Sequence, residues 1–273
     1  MGRGDMHRSA PFRILLAGPV AILATFILAI FILAISAATL TPGAFASASV
    51  VHSQETPSSI VIGFVGGFVR HDNPHHGAVI FAQRLQDRAP KGTYVQVFEN
   101  RRRQAAYNTI ISLLDRNHDG ILSGEEKAQA RIILYGQSWG AAAVVLLARQ
   151  LNRAGIPVLL TVQVDTVSRM WRDDKTIPPN VAAAANFYQR HGLVRGQPHI
   201  VAADPARTQI LGNFLFDYKQ SPVKCEGYSW LDRKITPTHM QSECDPRLWA
   251  QIEDLVRQRL EPPPTAVAAA PQQ

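Results

Sequence analysis

The sequence lacks a nucleic-acid-binding motif, and its positive charges are not gathered into one patch. Lysine and arginine number 28 and aspartate and glutamate 21, so the formal net charge is +7. An excess of this size permits contact with anionic surfaces, but it is scattered along the chain and accompanies no recognised nucleic-acid module. We therefore expect no nucleic-acid partner.

Charge is absent between Ile14 and Leu40, and this stretch is almost wholly apolar. A cleaved signal peptide has an apolar region of roughly 7 to 15 residues, whereas a helix that spans a membrane needs about 20. The length therefore favours an uncleaved membrane anchor within residues 1–40. Arginines precede the stretch, and flanking arginines stay in the cytoplasm, so the rest of the chain is predicted to lie outside it.

A cleaved signal is the alternative, because residues 44–46 and 46–48 place small side chains at the spacing that a signal peptidase reads. Cleavage would give a secreted or periplasmic protein with the same domain outside the cytoplasm. Residues 41–57 are rich in serine, alanine, threonine and proline and predict a linker. Residues 261–273 predict a disordered tail.

Cysteine is scarce, since only Cys225 and Cys244 occur, both near the carboxyl end of the chain. Outside the cytoplasm such a pair can form a disulfide; the alternative is two buried free thiols. We expect the disulfide, which would close a loop around His239.

One short segment combines a buried strand, a sharp turn and an apolar helix. The aliphatic run at 132–134 leads to Gly136, and after Gly140 the pattern becomes that of a helix packed on a sheet. Residues 136–140 fit G-x-S-x-G, in which the glycines relieve crowding around a nucleophile held in a strained turn. Ser138 is the predicted nucleophile. The alternative is that the glycines only end a strand and begin a helix.

On this elbow and its flanking elements, the chain resembles the α/β-hydrolase superfamily from about Ser58 to Arg259. The resemblance implies one α/β domain over residues 58–260, with a doubly wound, mostly parallel sheet and helices on both faces. It also implies a serine, a carboxylate and a histidine in that order along the chain. A chain of 273 residues with 46% hydrophobic content is long enough for one such core.

A carboxylate at the carboxyl end of a strand is well placed to reach a histidine that serves the elbow. Asp165 follows a predicted strand at 157–164, and the sequence around it resembles hydrolases that take the acid from this position. Asp204 is the alternative because it follows a later predicted strand at 199–203. His239 lies on a predicted loop before the last amphipathic helix, where the superfamily carries its catalytic histidine.

Backbone N–H groups are expected to bind the oxyanion formed during acyl transfer. One candidate is Trp139, which opens the helix after the elbow. The other is Gly67 or Phe68, in the glycine-rich stretch after the first predicted strand, where the superfamily supplies its second donor. A simple tight turn is the alternative for this stretch.

Residues 115–126 match the calcium-loop pattern D-x-[DN]-x-[DN]-G-x5-E at every position. The loop resembles an EF-hand, and its predicted oxygen donors are Asp115, Asn117, Asp119, the Ile121 carbonyl, Ser123 and Glu126. A helix-to-helix turn with Ser123 and Glu126 as a capping box is the alternative, and both can hold together. Because the loop precedes the elbow strand, we expect it at the amino ends of the strands, away from the chemistry, as a structural Ca²⁺ site.

Two polar clusters remain. His71, His75 and His76 have no partner at a recognisable metal spacing, so a solvated loop or substrate rim is expected rather than zinc. Residues 101–103 are three arginines that open a predicted helix, where positive charge opposes the helix dipole. A solvated face is expected for them, with contact to an anionic substrate or lipid head group as the alternative.

The predicted function is hydrolysis of a carboxylic ester, in a small molecule or a lipid, by a serine esterase or lipase-like enzyme. Ser138, His239 and Asp165 would act through an acyl-enzyme, without an organic cofactor. The alternative is a non-catalytic, membrane-displayed calcium-binding module that keeps the hydrolase fold. Acyl length, alcohol and oligomeric state are not set by the sequence.

Overall fold

Six strands, each parallel to its neighbours, form the central sheet in the order β2-β1-β3-β4-β6-β8. The computed structural model describes residues 57–168, 172–228, 234 and 236–261. The strands of this sheet are β1 (Ser59–Val65), β2 (Thr93–Glu99), β3 (Ile132–Gln137), β4 (Val158–Val164), β6 (Val181–Tyr188) and β8 (Gln209–Leu215). Two short strands, β5 (Thr176–Ile177) and β7 (Val201–Ala202), pair separately.

Every residue of β1 and β3 is buried, as expected for parallel strands covered on both faces. The helices are α1 (Gly77–Arg88), α2 (Arg103–Leu114), α3 (Gly124–Ala128), α4 (Trp139–Arg153), α5 (Pro237–Cys244) and α6 (Pro246–Leu260). One buried apolar cluster joins the sheet to α2 and α4, and a second joins its other face to α1 and α6. The predicted doubly wound sheet with helices on both faces is confirmed.

The strand order places a topological switch between β1 and β3. The chain leaves β1 toward β2 on one side of it, then crosses to β3 on the other side. In open parallel sheets, ligands bind in the crevice outside the carboxyl ends of the strands at such a switch. The segments that follow β1 and β3 begin at Gly66 and Ser138, so the fold puts both at this crevice.

Three elements differ from the sequence-based expectation. Residues 181–188 have no predicted element, yet they form β6, an internal strand of the sheet between β4 and the edge strand β8. The predicted strand at 199–203 is reduced to the two residues of β7. His239 lies in the first turn of α5 rather than on a loop, because Pro237 at the helix start presets a helical φ.

The predicted disulfide between Cys225 and Cys244 is present and joins the last residue of α5 to the segment after β8. The predicted membrane segment 1–40, nearly all of the linker 41–57 and nearly all of the tail 261–273 lie outside the described residues. In the part of the chain that is described, no helix is both long and apolar enough to cross a bilayer.

Candidate active site

Ser138 occupies the sharp turn between β3 and α4, with φ 57° and ψ −122°. A non-glycine residue with positive φ is strained and persists only where the surroundings fix it. A β-carbon on Gly136 would stand 2.5 Å from the carbonyl oxygen of Gly140, and one on Gly140 would overlap the carbonyl of Phe64. Both glycines are therefore needed for β3, α4 and β1 to meet, as the sequence pattern predicts.

His239 brings its imidazole to Ser138 from α5. Its Nε2 lies 3.0 Å from Ser138 Oγ, which is hydrogen-bond distance. The two residues are 8% and 7% exposed, so the pair is largely shielded from water but still reachable from the surface.

Asp165 follows β4 and contacts the other nitrogen of the His239 ring. Its Oδ2 lies 2.6 Å from His239 Nδ1, and the residue is 0% exposed. A buried carboxylate can only accept, so Nδ1 carries the proton and Nε2 is left to accept from the Ser138 hydroxyl. Burial opposes protonation of the ring, but the hydrogen bond and charge of Asp165, with a smaller effect of Glu243, outweigh it and raise the pKa of His239.

Gln189 and Gly196 hold the acid in place, and sequence reasoning missed both. The Gln189 backbone N–H donates to Asp165 Oδ1 at 3.1 Å, and its Nε2 donates to Oδ2 at 3.0 Å. A β-carbon on Gly196 would overlap Asp165 Oδ1. The positive φ of Asp165, 45°, turns its side chain into this cradle. Asp204, the alternative acid, is half-buried and accepts from the Ala206 N–H at 3.0 Å in a local turn.

The predicted oxyanion residues lie beside Ser138 in two segments. The glycine turn after β1 is held by Asn100, whose Nδ2 donates to the carbonyl of Gly67 at 2.6 Å. Gly67 has φ 47°, in the region that favours glycine. Phe68 is 85% exposed, and its ring stands edge-on to Trp139 with centroids 5.5 Å apart. The structure thus places the Gly67–Phe68 turn against Trp139, the residue that follows Ser138.

Gly66 is a further contact that the sequence did not single out. A β-carbon there would stand 2.8 Å from Ser138 Cβ and 2.5 Å from Gln137 Oε1. Only glycine lets the turn after β1 approach the elbow this closely.

The 115–126 loop contains the capping box that was the alternative to a calcium site. Ser123 Oγ accepts from the Glu126 N–H at 3.2 Å, and Glu126 Oε2 accepts from the Ser123 N–H at 2.8 Å. Glu126 Oε1 accepts from the Arg116 N–H, and donation by Ser123 and Arg116 lowers the pKa of this carboxyl. Asp115 Oδ2 accepts from the Gly120 N–H at 2.9 Å.

The same loop has one feature that fits a cation, since Asp115 Oδ1 is buried and has no hydrogen-bond partner. The side chains of Asn117 and Asp119 accept N–H groups two residues ahead and form successive turns. Among the described residues, no three histidine, cysteine, aspartate or glutamate side chains converge as a metal site. The loop joins α2 to α3, ahead of β3, so it lies at the amino ends of the strands, as expected.

The remaining polar clusters have separate surroundings. His71 Nδ1 lies 2.9 Å from Glu99 Oε1, whereas His76 caps α1 through Nδ1. Arg101 and Arg102 are exposed in a 3₁₀ turn before α2. Arg103 is half-buried, and burial together with neighbouring arginines lowers its pKa.

No protein-family model matches the chain, and no curated protein sequence matches it. Solved structures similar to it include a cutinase-like protein from Cryptococcus sp., with 13% identity, 76% of this chain and 97% of the other covered, and a TM-score of 0.41. An acetylxylan esterase is 12% identical; the match covers 75% of this chain and 99% of the esterase, with a TM-score of 0.36. A dienelactone hydrolase from Anabaena variabilis is also 12% identical; the match covers 75% of this chain and 86% of that hydrolase, with a TM-score of 0.38.

At these identities and TM-scores the likeness adds nothing to an argument about activity. The strand order, the crossovers and the serine elbow are those of the α/β-hydrolase fold. A fold by itself does not determine function, which depends on the residues of the site.

Proposed function

We propose that this protein is a serine hydrolase that cleaves carboxylic esters through an acyl-enzyme. The observation that carries the proposal is the continuous contact from Ser138 Oγ through His239 to Asp165, with distances of 3.0 and 2.6 Å. A nucleophile, a base and a residue that orients the base, all within hydrogen-bond reach, are what acyl transfer by serine requires.

In the first half of the reaction, Ser138 Oγ bonds to the ester carbonyl carbon as its proton passes to His239 Nε2. The carbonyl π electrons move to the oxygen and form a tetrahedral oxyanion. Collapse of this intermediate breaks the bond to the alcohol, and His239 returns the proton to the departing oxygen. Asp165 keeps Nδ1–H pointed away from the reaction and stabilises the imidazolium.

In the second half, water attacks the acyl-enzyme and gives its proton to His239 Nε2. The new tetrahedral intermediate collapses to release the carboxylic acid, and Ser138 recovers its proton. The free enzyme is restored without a redox change or an organic cofactor.

The oxyanion is proposed to be held by two backbone N–H groups, one from Trp139 and one from Gly67 or Phe68. Trp139 opens α4, a 15-residue helix, so its amide belongs to the positive end of a helix dipole. Donors placed before the charge develops cost no reorganisation during the reaction.

The Phe68 and Trp139 rings suit a substrate with an apolar group next to the ester. Phe68 is 85% exposed beside Trp139, so the two rings offer apolar area that a substrate group can cover. A small-molecule or lipid ester supplies such a group. The predicted amino-terminal segment would place this site outside the cytoplasm. If that segment is an uncleaved anchor, it would also hold the site at a membrane.

A structural Ca²⁺ is proposed for the 115–126 loop. Support comes from the spacing of its oxygen donors and from the buried, unpartnered Asp115 Oδ1. The expected ligand residues are Asp115, Asn117, Asp119, Ile121, Ser123 and Glu126. When bound, the ion supplies positive charge that orders the turn leading into β3.

A fluorophosphonate probe tests the catalytic proposal against the binding-module alternative. The full-length chain in detergent is treated with the probe beside S138A and S221A, the second being an exposed serine outside the 136–140 turn. Labelling of the wild type and S221A but not of S138A supports catalysis. Absence of labelling in folded wild type supports the non-catalytic module. A panel of p-nitrophenyl esters of increasing acyl length then defines the substrate.

A further inference from the structure

A second imidazole lies buried behind the candidate active site. His76 is the N-cap of α1, and its Nδ1 accepts from the Ala78 N–H at 3.2 Å. An accepting Nδ1 carries no proton, so the neutral ring bears its hydrogen on Nε2. Burial lowers the pKa of His76 and keeps the ring in this form.

The Nε2 face of His76 is directed to two side chains from other elements. Glu243 Oε2 lies 3.6 Å away, and the Gln137 side chain is also adjacent. His76 Nε2 and Gln137 Oε1 each lack a partner within hydrogen-bond limits. A donor and an acceptor that are buried next to one another, both otherwise unsatisfied, form a hydrogen bond with little movement.

Gln137 connects this cluster to the candidate base. With Oε1 toward His76, its Nε2 lies 3.4 Å from His239 Nε2 and 3.5 Å from Ser242 Oγ. Ser242 Oγ in turn donates to the His239 carbonyl at 2.7 Å. Gln137 therefore contacts the His239 ring directly and reaches the His239 backbone through the Ser242 hydroxyl.

The three residues come from three of the segments that supply the site. His76 ends the loop that begins with the Gly66 turn, Gln137 is the residue before Ser138, and Glu243 lies one helical turn after His239 on α5. All three are buried.

We propose that Gln137, His76 and Glu243 form a positioning cluster that aligns the His239 ring on Ser138 and sets its basicity. The inference rests on the proposed function. None of the three is proposed to contact the substrate; Gln137 contacts His239 Nε2 directly, and His76 and Glu243 act through Gln137 and His239.

Glu243 and Gln137 act on the pKa of His239 in opposite directions. Asp165 and Glu243 both favour the protonated His239 ring. Glu243 itself is faced by His76 from α1, by Tyr228 from the segment after β8 and by His239 from its own helix. Removing the charge of Glu243 therefore lowers the pKa of His239. Gln137 presents N–H to the nitrogen that receives the proton, so removing it raises that pKa.

The test compares E243Q and Q137M with E253Q as the matched control. Glu253 is also a buried glutamate on a carboxyl-terminal helix, but its ion pairs are with Arg84 and Arg88 rather than with a histidine. The pKa of His239 is read from its ring protons by NMR titration and from the acid limb of kcat/KM. We expect the limb to move to lower pH in E243Q, to higher pH in Q137M and not at all in E253Q. A kcat loss of about tenfold, the size of one hydrogen bond, accompanies both shifts.

H76N separates positioning from helix capping. Asparagine still accepts from the Ala78 N–H but is too short to hold Gln137. The expected result is a folded protein with a lower kcat and an unchanged KM, and with a melting temperature lowered only by the volume that the buried ring leaves. Folded E243Q and Q137M with the wild-type His239 pKa overturn the inference, and so does H76N with wild-type kcat. Because the NMR reading needs no turnover, this failure is distinct from failure of the proposed function, which shows as an unlabelled wild type.

Discussion

Gly196 lies directly against the carboxylate of Asp165, and a single methyl group there would occupy the position of Oδ1. This contact joins a loop beyond β6 to the acid at the end of β4. The position of the acid therefore depends on a residue that has no side chain.

G196A is expected to lower kcat/KM by about 100-fold or more, because the methyl group displaces the acid that holds the His239 tautomer. KM is expected to change little. G155A is the control, since nothing lies within 4 Å of a β-carbon on Gly155, although its positive φ makes the substitution strained. Ester hydrolysis and melting temperature are measured for both. G196A with wild-type kcat would show that Asp165 is not the functional acid.

H239Q is expected to destabilise the protein more at acid than at alkaline pH. The pKa of His239 is raised, by Asp165 and Glu243 against the opposing effect of burial, so the folded state binds the proton more tightly than the unfolded state does. That stabilisation is complete below the ordinary histidine value of about 6.5 and is lost as pH rises through the folded value. Melting temperatures at about pH 5 and about pH 9, on either side of the ordinary value, measure the difference. An equal loss at both would contradict the assignment.

Chelation is expected to lower the melting temperature more than it lowers the initial activity at room temperature. A bound ion stabilises the folded state by mass action, and the loop lies at the edge of the sheet opposite Ser138. D119A is expected to abolish the response to added Ca²⁺, whereas D87A, an exposed aspartate on α1, retains it. Loss of activity without loss of stability would place the ion in the active site, and no response in wild type would reject it.

F68A is expected to raise KM for long-chain esters about tenfold and to leave acetate esters almost unchanged. The ring offers apolar area that only a long acyl or alcohol group can cover. V201A removes apolar area from an exposed position on β7 and serves as the control. A uniform loss of kcat across the ester panel would instead indicate that Phe68 positions the oxyanion donor.

The elbow was predictable because its requirements are local. Gly136 and Gly140 are spaced by the turn itself, so a five-residue pattern contains the steric demand that the structure shows. Asp165 was predicted from its place at the end of a strand and His239 from its place before the last helix, both with the help of the resemblance to the superfamily.

The strand and the contacts that the sequence did not predict share a different cause. Residues 181–188 are rich in alanine, a helix former, and they form β6 only because β4 and β8 cover both edges. Gln189 meets Asp165 through the pairing of β4 with β6, across 24 positions of chain. The Gln137 contacts with His76 and His239 likewise exist only after three segments have packed together. A short sequence pattern does not encode contacts between segments that are far apart in the chain.

The imidazole of the candidate site belongs to His239, which lies beyond residue 236, whereas the Ser138 hydroxyl and the Asp165 carboxylate lie at or before residue 165. A nascent chain therefore carries an unassisted serine until its final helices dock and the bridge between Cys225 and Cys244 closes, which oxidising surroundings favour. Hydrolytic power would then appear only late in folding, once the carboxyl-terminal helices have brought His239 to Ser138.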